Sequence, residues 1–182
     1  MDTEYEVSIL EVNMKELEEK LVGLGAVKSG DFLQRRYIYD FNPVLPTKWI
    51  RLRTNGIKST LTIKDLQNKS IVGGMKELEI VVSDFDKTND ILKELGYNHR
   101  AYQENKRTIY NLDDVEFDID TWPMIPTYVE IEGPSEEKVL EFVEKLGYGK
   151  KDALTIGVTA IYREKYNIDC ESYKELKFES VE

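Results

Sequence analysis

Between Glu116 and Glu132 the chain alternates acidic and apolar residues twice. Glu116, Asp118 and Asp120 face away from Phe117 and Ile119, and Glu130 and Glu132 face away from Val129 and Ile131. Successive side chains of a strand point to opposite faces, so each run is predicted to be a strand with one apolar and one acidic face. The link Trp122-Pro123-Met124-Ile125-Pro126 turns the chain back and predicts an antiparallel pair. Carboxylates stacked this densely repel one another unless cations neutralise them. The fold must therefore bring bases to the same face from elsewhere in the chain.

The same alternation marks six more strands. Glu4 to Leu10 sets Glu4, Glu6 and Ser8 against Tyr5, Val7 and Ile9. Gln34 to Phe41 is rich in Arg and Tyr and ends in the loop 42–46. Trp49 to Thr54 sets Arg51 and Arg53 against Ile50 and Leu52, and the turn Asn55-Gly56 leads into Ser59 to Asp65, where Thr60, Thr62 and Lys64 oppose Leu61 and Ile63. After a loop at 66–74, Lys76 to Val82 sets Glu77 and Glu79 against Leu78 and Ile80. Gln103 to Leu112 carries Lys106 and Arg107.

Three helices interrupt these strands. Asn13 caps the first, whose stripe is Met14, Leu17, Leu21 and Leu24 before the stop at Gly25. Phe85, Thr88, Ile91, Leu92 and Leu95 mark the second, which stops at Gly96; Ser135 caps the third, whose stripe of Val139, Phe142, Val143 and Leu146 stops at Gly147. Beyond Lys150 the pattern weakens, and 162–166 and 173–178 are expected to be short covering elements. A Glu-x-Glu strand, a short link and a Gly-terminated helix recur at 4–25, 77–97 and 130–148. The expectation is one α+β domain over residues 1–182, built from duplicated βαβ-type units with the helices on the apolar outer side.

Composition excludes several function classes. A net charge of −10 argues against nucleic-acid binding, which needs a basic surface. No apolar run approaches the length of a membrane span, and the N-terminus is not a secretion signal, so no membrane association and a cytoplasmic location are expected. The lone Cys170 cannot form an internal disulfide and is read as a packing residue. The lone His99 excludes a His-based triad or zinc site and is read as exposed; Gly73-Gly74 is a turn rather than a phosphate loop. The Trp and Tyr residues are read as packing the outer helices.

A charged strand face can simply be the wetted side of an open sheet. Such faces mix signs, whereas here acids cluster at 4–6, 77–79, 116–120 and 130–132 and bases at 51–53, 64 and 106–107. Eight strands also suffice to close a small antiparallel barrel around one ligand. A polyanion accompanied by divalent metal fits such a lining. Arg51 and Arg53 offer forks that match phosphate oxygens, and Lys64 adds a point charge. Glu residues two apart on a strand lie about 6.6 Å apart, so both can reach one hydrated Mg²⁺ or Mn²⁺.

The order of these motifs over residues 2–178 resembles the CYTH family, the triphosphate tunnel fold of class IV adenylyl cyclases and thiamine-triphosphatase-like enzymes. The resemblance rests on Glu4-x-Glu6, Trp49-x-Arg51-x-Arg53, Leu61-x-x-Lys64, Lys76-Glu77-x-Glu79, Lys106-Arg107, Asp118-x-Asp120 and Tyr128-x-Glu130-x-Glu132, with Ser172-Tyr173 pointing to the class IV cyclase-like branch. It implies a closed eight-stranded antiparallel β-barrel with helices packed outside and a small-molecule triphosphate in a charged tunnel. In that reading Glu4, Glu6, Lys64 and Arg53 are catalytic. Arg51, Arg53, Lys64, Arg107, Lys106 and Ser8 bind phosphate. Glu4, Glu6, Glu130, Glu132 and Asp120 hold Mg²⁺ or Mn²⁺, and Glu77, Glu79, Asp118 and Arg36 complete the lining.

Two departures qualify that inheritance. Ser8 stands where the family's Glu-x-Glu-x-Lys motif has lysine, and Arg36 stands where relatives often carry an acid. Both bear on turnover more than on binding. Hydrolysis of an inorganic, nucleoside or organic triphosphate is the leading expectation. The alternatives are conversion of ATP to cyclic AMP and pyrophosphate, and a non-catalytic polyphosphate- or nucleotide-binding module. Relatives are often homodimers, and the same state is expected here.

Overall fold

A computed structural model describes residues 1–178; the last four positions of the expected 1–182 domain lie outside the described residues. The strands are β1 (Asp2–Ile9), β2 (Val27–Asp40), β3 (Lys48–Thr54), β4 (Ser59–Leu66), β5 (Met75–Val82), β6 (His99–Leu112), β7 (Val115–Thr121), β8 (Tyr128–Gly133) and β9 (Glu175–Leu176). The helices are α1 (Met14–Gly23), α2 (Phe85–Glu94), α3 (Glu136–Lys145) and α4 (Val158–Tyr166).

The sheet runs β2-β3-β4-β5-β1-β8-β7-β6, and β6 pairs back onto β2, which closes an eight-stranded barrel. Every pairing within the ring is antiparallel. The short β9 adds in parallel to β6. Closure gives each strand one face toward the lumen and one toward the outside, where helices cover most of the ring but leave Leu78 and Ile80 of β5 exposed.

The helices form where capping and apolar spacing coincide. Asn13, Asp84 and Ser135 accept hydrogen bonds from the backbone N–H of Glu16, Lys87 and Lys138, which satisfies one otherwise orphaned donor in each first turn. Gly25, Gly96 and Gly147 then take φ of 95°, 88° and 87°, the left-handed stop that glycine tolerates best. Leu17 and Leu21 of α1 and Val139, Phe142 and Val143 of α3 bury against Val7, Phe117, Ile119, Val129 and Ile131. Phe85 and Leu92 of α2 cover Tyr39, Ile50 and Leu52. Each such side chain contributes about 1.5–3 kcal/mol on leaving water. Because these alternate residues are held outward, their charged neighbours are forced inward.

Three expectations are corrected. The two halves are strand–helix–three strands (β1–α1–β2–β3–β4 and β5–α2–β6–β7–β8), not βαβ units, because the strands flanking each helix are never neighbours. β2 and β6 begin at Val27 and His99 rather than Gln34 and Gln103. They form one long ladder with register shifts between Lys28 and Gly30 and between Ile38 and Tyr39. His99 is half-buried within β6, its ring 4.5 Å from that of Tyr37, and not exposed in a turn.

One seam of the barrel is short. β1 pairs with β5 only through Asp2, Thr3 and Glu4. Past that point Leu154 bridges to Ser8, with Ser8 N–H donating to the Leu154 carbonyl at 2.8 Å and Leu154 N–H returning the bond at 2.9 Å. Ile161 and Tyr162 of α4, with Cys170 and Leu176, pack against Trp122, Ile125 and Tyr128 at the β7–β8 turn. No helix among the described residues is long and apolar enough to cross a membrane.

Candidate active site in the barrel lumen

Directly paired residues of neighbouring strands share a face, so the ladder registers place the charged residues. One row runs Glu116–Glu132–Glu6 and the next Asp118–Glu130–Ser8 across β7, β8 and β1. Arg107–Asp120–Tyr128 follows across β6, β7 and β8. On the other wall lie Gln103–Arg36–Arg53–Thr60, then Ile38–Arg51–Thr62–Glu79, then Trp49–Lys64–Glu77. The lumen thus collects Glu6, Ser8, Arg36, Arg51, Arg53, Lys64, Glu77, Glu79, Arg107, Asp118, Asp120, Glu130 and Glu132. Glu4 joins them through its ion pair with Lys64.

Lys106 does not join them. Its paired neighbours are Leu33 and Thr121, it is exposed, and its ammonium lies 4.8 Å from the Phe178 ring. Residues adjacent on a strand cannot both face a lumen. Arg107 is the inward member of the pair, so Lys106 is withdrawn as a phosphate ligand.

The lumen charges form three groups. In the first, carboxylate oxygens of Glu4, Glu6 and Glu132 lie within 4.8 Å of one another. Burial pushes Glu6 well above the usual carboxylate range, with Glu130 and Glu4 adding to it. Burial, then Glu4 and Glu116, bring Glu132 to about 7. Lys64 sits beside this group, 3.2 Å from Glu4 and paired with Glu77. Burial and Arg51 nevertheless lower its affinity for a proton.

The second group is a clamp on Arg107. Its Nε donates to Asp120 at 2.7 Å, its Nη2 lies 2.5 Å from Asp120 and 2.6 Å from Glu130, and its Nη1 pairs with Asp118. Asn105 adds a bond to Asp120 at 2.8 Å. Burial raises Asp118 and Glu130, with Arg107 opposing. Burial disfavours the guanidinium, yet these three acids hold it firmly charged. Glu130 and Asp120, expected with the metal set, and Arg107, expected on phosphate, therefore neutralise one another.

The third group is cationic. Arg36 and Arg53 are directly opposite on β2 and β3, and among the described residues neither has a carboxylate at ion-pair distance. Arg36 donates from Nη2 to Gln34 at 3.0 Å and to Asn105, and its guanidinium lies 4.6 Å from the centre of the Trp122 ring. Burial, then Arg51 and Arg53, lower its pKa to about 9; Arg51, then burial, lower that of Arg53 to about 10. Arg51 is only loosely paired, 3.5 Å from Glu77 and 3.7 Å from Glu79, while Thr62 donates to Glu79 at 2.7 Å.

Sequence reading placed Thr60 on the charged face but missed the rest of the neutral lining: Gln34, Gln103, Asn105, Trp122 and Tyr128. A signal for some was present, because Gln103 and Asn105 are two-residue steps from Arg107, as Gln34 is from Arg36. Trp122 and Tyr128 pack beneath α4, but Trp122 also meets Arg36 in the lumen.

A closed antiparallel barrel whose lumen separates a carboxylate cluster from a patch of unpaired guanidinium groups defines a recognisable class of protein. The model of the CYTH domain matches residues 2–156, and the chain belongs to that family. No curated protein matches the chain by sequence. Among solved structures, the PH1012 protein from Pyrococcus horikoshii OT3 is 25% identical with a TM-score of 0.72, covering 85% of this chain and 96% of its own. A candidate adenylate cyclase from Vibrio parahaemolyticus shares the fold at a TM-score of 0.75 and 11% identity, with 88% and 97% covered. A Hippeastrum protein with a dominant triphosphatase activity shares it at 0.58 and 16%, with 89% and 96% covered.

Proposed function

We propose that this protein is a divalent-metal-dependent enzyme that hydrolyses a small triphosphate held in the barrel lumen. The observation that carries this reading is the separation of charge: carboxylates of Glu4, Glu6 and Glu132 converge on one part of the wall, and Arg36, Arg51 and Arg53 converge on another without a full set of counter-ions. A linear polyphosphate with a hard cation complements both at once.

The residues fit such a cation. Glu4, Glu6 and Glu132 would hold Mg²⁺ or Mn²⁺, since all three offer hard oxygen donors close enough to share one ion. When bound, the ion supplies polarisation of a phosphoryl oxygen and neutralisation of its charge. The remaining work falls to the chain. Arg51 and Arg53 present planar forks that align phosphate oxygens, and in phosphoryl transfer such positioning and charge stabilisation are most of catalysis. Lys64, tethered between Glu4 and Glu77, is placed to add one more donor beside the cation site. Burial of the whole set strengthens each interaction by excluding bulk water.

Ser8 favours a second reading, binding without turnover, because the residue opposite Glu130 is an uncharged hydroxyl where the family motif has lysine. One assay separates these readings from cyclase chemistry. Purified protein is supplied with Mg²⁺ or Mn²⁺ and either tripolyphosphate or ATP. Orthophosphate release supports the hydrolase, cyclic AMP with pyrophosphate replaces it by the cyclase, and thermal stabilisation without product leaves a binding module.

A further inference from the structure

We propose that Arg36, with Arg53 and Thr60, forms an end-group subsite that receives an unesterified terminal phosphoryl group. This rests on the reading that the lumen takes a polyphosphate. It adds a direction to that ligand and names the end at which substitution is refused.

Two guanidinium groups directly opposite on neighbouring strands repel each other, and the burial of Arg36 with the half-burial of Arg53 strengthens the repulsion. Asp120 offsets it in part at Arg36, and Glu79 and Asp118 at Arg53, but among the described residues none of these acids lies at ion-pair distance from either guanidinium. Asp120, the acid tied to Arg36 through Asn105, has both oxygens engaged by Arg107. Two charges of one sign, left together in a buried wall, call for a dianion. A terminal phosphoryl group carries about −1.5 to −2 near neutral pH. A phosphate esterified on both sides carries only one charge and leaves one guanidinium uncompensated.

The hydrogen-bond inventory points the same way. Arg36 uses only Nη2 on Gln34 and Asn105, and its buried Nε has no partner. The hydroxyl of Thr60, paired across the strands with Arg53, is also buried and, among the described residues, has Glu79 as its one polar neighbour, without a well-formed hydrogen bond. These donors lie in one continuous row, Gln103–Arg36–Arg53–Thr60, with neighbouring Cβ atoms about 4.5–5.5 Å apart. The two long arginine side chains of that row can reach one phosphoryl group from neighbouring strands, with Thr60 beside Arg53.

The wall behind the row explains why the ligand ends there. The Arg36 guanidinium lies against Trp122, and Trp122 is backed by Ile125, Tyr128, Ile161 and Tyr162, each almost wholly buried. No organic substituent can continue past Arg36 in that direction. Lys64, beside the acid cluster, lies four residues along β4 from Thr60 on the same face, about 13 Å away, so any substituent of the ligand is left toward the cation end.

The test is calorimetric titration without metal, using tripolyphosphate, which has free ends, and diadenosine triphosphate, which has none. Wild-type protein should bind tripolyphosphate at least about 10-fold more tightly than the capped probe, the loss expected when charged donors go unmet. Arg36→Gln should weaken tripolyphosphate by about 10- to 100-fold and leave the capped probe within about twofold. Arg36→Lys, which keeps the charge without the fork, should fall between them. The unliganded melting temperature of Arg36→Gln should equal or exceed that of wild type, since one repelling charge is gone. If Arg36→Gln binds tripolyphosphate as wild type does while Arg53→Ala loses it, the end-group subsite is wrong and the lumen reading survives. Equal wild-type affinity for free and capped probes overturns the subsite without any variant. Failure of wild type to bind either probe overturns both.

Discussion

Arg36, buried, and Arg53, half-buried, face each other across β2 and β3 without a carboxylate partner among the described residues, while Arg107 on β6, the other neighbour of β2, is gripped by three. The same lumen treats its guanidinium groups in opposite ways. Arg107 is fixed by the fold and stabilises it. Arg36 and Arg53 are left with unspent charge, which costs stability and is available to a ligand.

Arg53→Ala should therefore separate binding from folding. Its affinity for tripolyphosphate should drop by about 10- to 100-fold, the loss of a charge-assisted bidentate contact. Its unliganded melting temperature should be unchanged or higher, because like-charge repulsion is removed. Unchanged affinity in a titration would take Arg53 out of the site.

Arg107→Ala should do the reverse. Removing the base leaves Asp118, Asp120 and Glu130 buried together, and breaking a buried pair in this way costs about 3–5 kcal/mol. Lys106→Ala, one residue away on the outer face, should change stability by no more than about 0.5 kcal/mol and leave tripolyphosphate affinity alone. Urea unfolding of the two variants checks the contrast. A severe loss in Lys106→Ala would contradict the register of β6.

Stability without metal should fall with rising pH. Glu132 has an ordinary value of 4.5 and is raised to about 7 by burial, then Glu4 and Glu116. The folded protein thus holds a proton that the unfolded chain releases first. The stabilisation is complete below about pH 4.5 and is lost as pH rises to about 7. Glu6, raised for the same first reason, acts in the same direction. Denaturant midpoints measured with chelator across this window should decline for wild type and decline less for Glu132→Gln. A variant with the full wild-type slope would show that Glu132 is not the group titrating.

Most of the barrel was legible in the sequence because strict alternation survives wherever one face is covered by a helix. Val129 and Ile131 are held under α3, so Glu130 and Glu132 must face inward. Where backbone geometry rather than side-chain chemistry decides, the reading failed. Ser29-Gly30-Asp31 has loop composition, yet it continues β2 through a register shift that β6 accommodates. Lys106 was drawn into the site by its charge when its neighbour Arg107 already occupied the inward position. The division of the acids between a cation cluster and the Arg107 clamp was not readable, because it depends on which strands meet across the barrel. Two neutral residues, Asn105 and Trp122, shape the surroundings of Arg36, and neutral side chains leave no charge pattern to follow.

The most direct test is tripolyphosphate hydrolysis, followed as orthophosphate release with and without Mg²⁺ alongside calorimetric titration of the same samples. The account predicts binding that persists in chelator, release that requires the metal, and loss of release with retained binding in Glu6→Gln. Wild-type protein that neither binds nor cleaves tripolyphosphate in Mg²⁺, Mn²⁺ or chelator would contradict it.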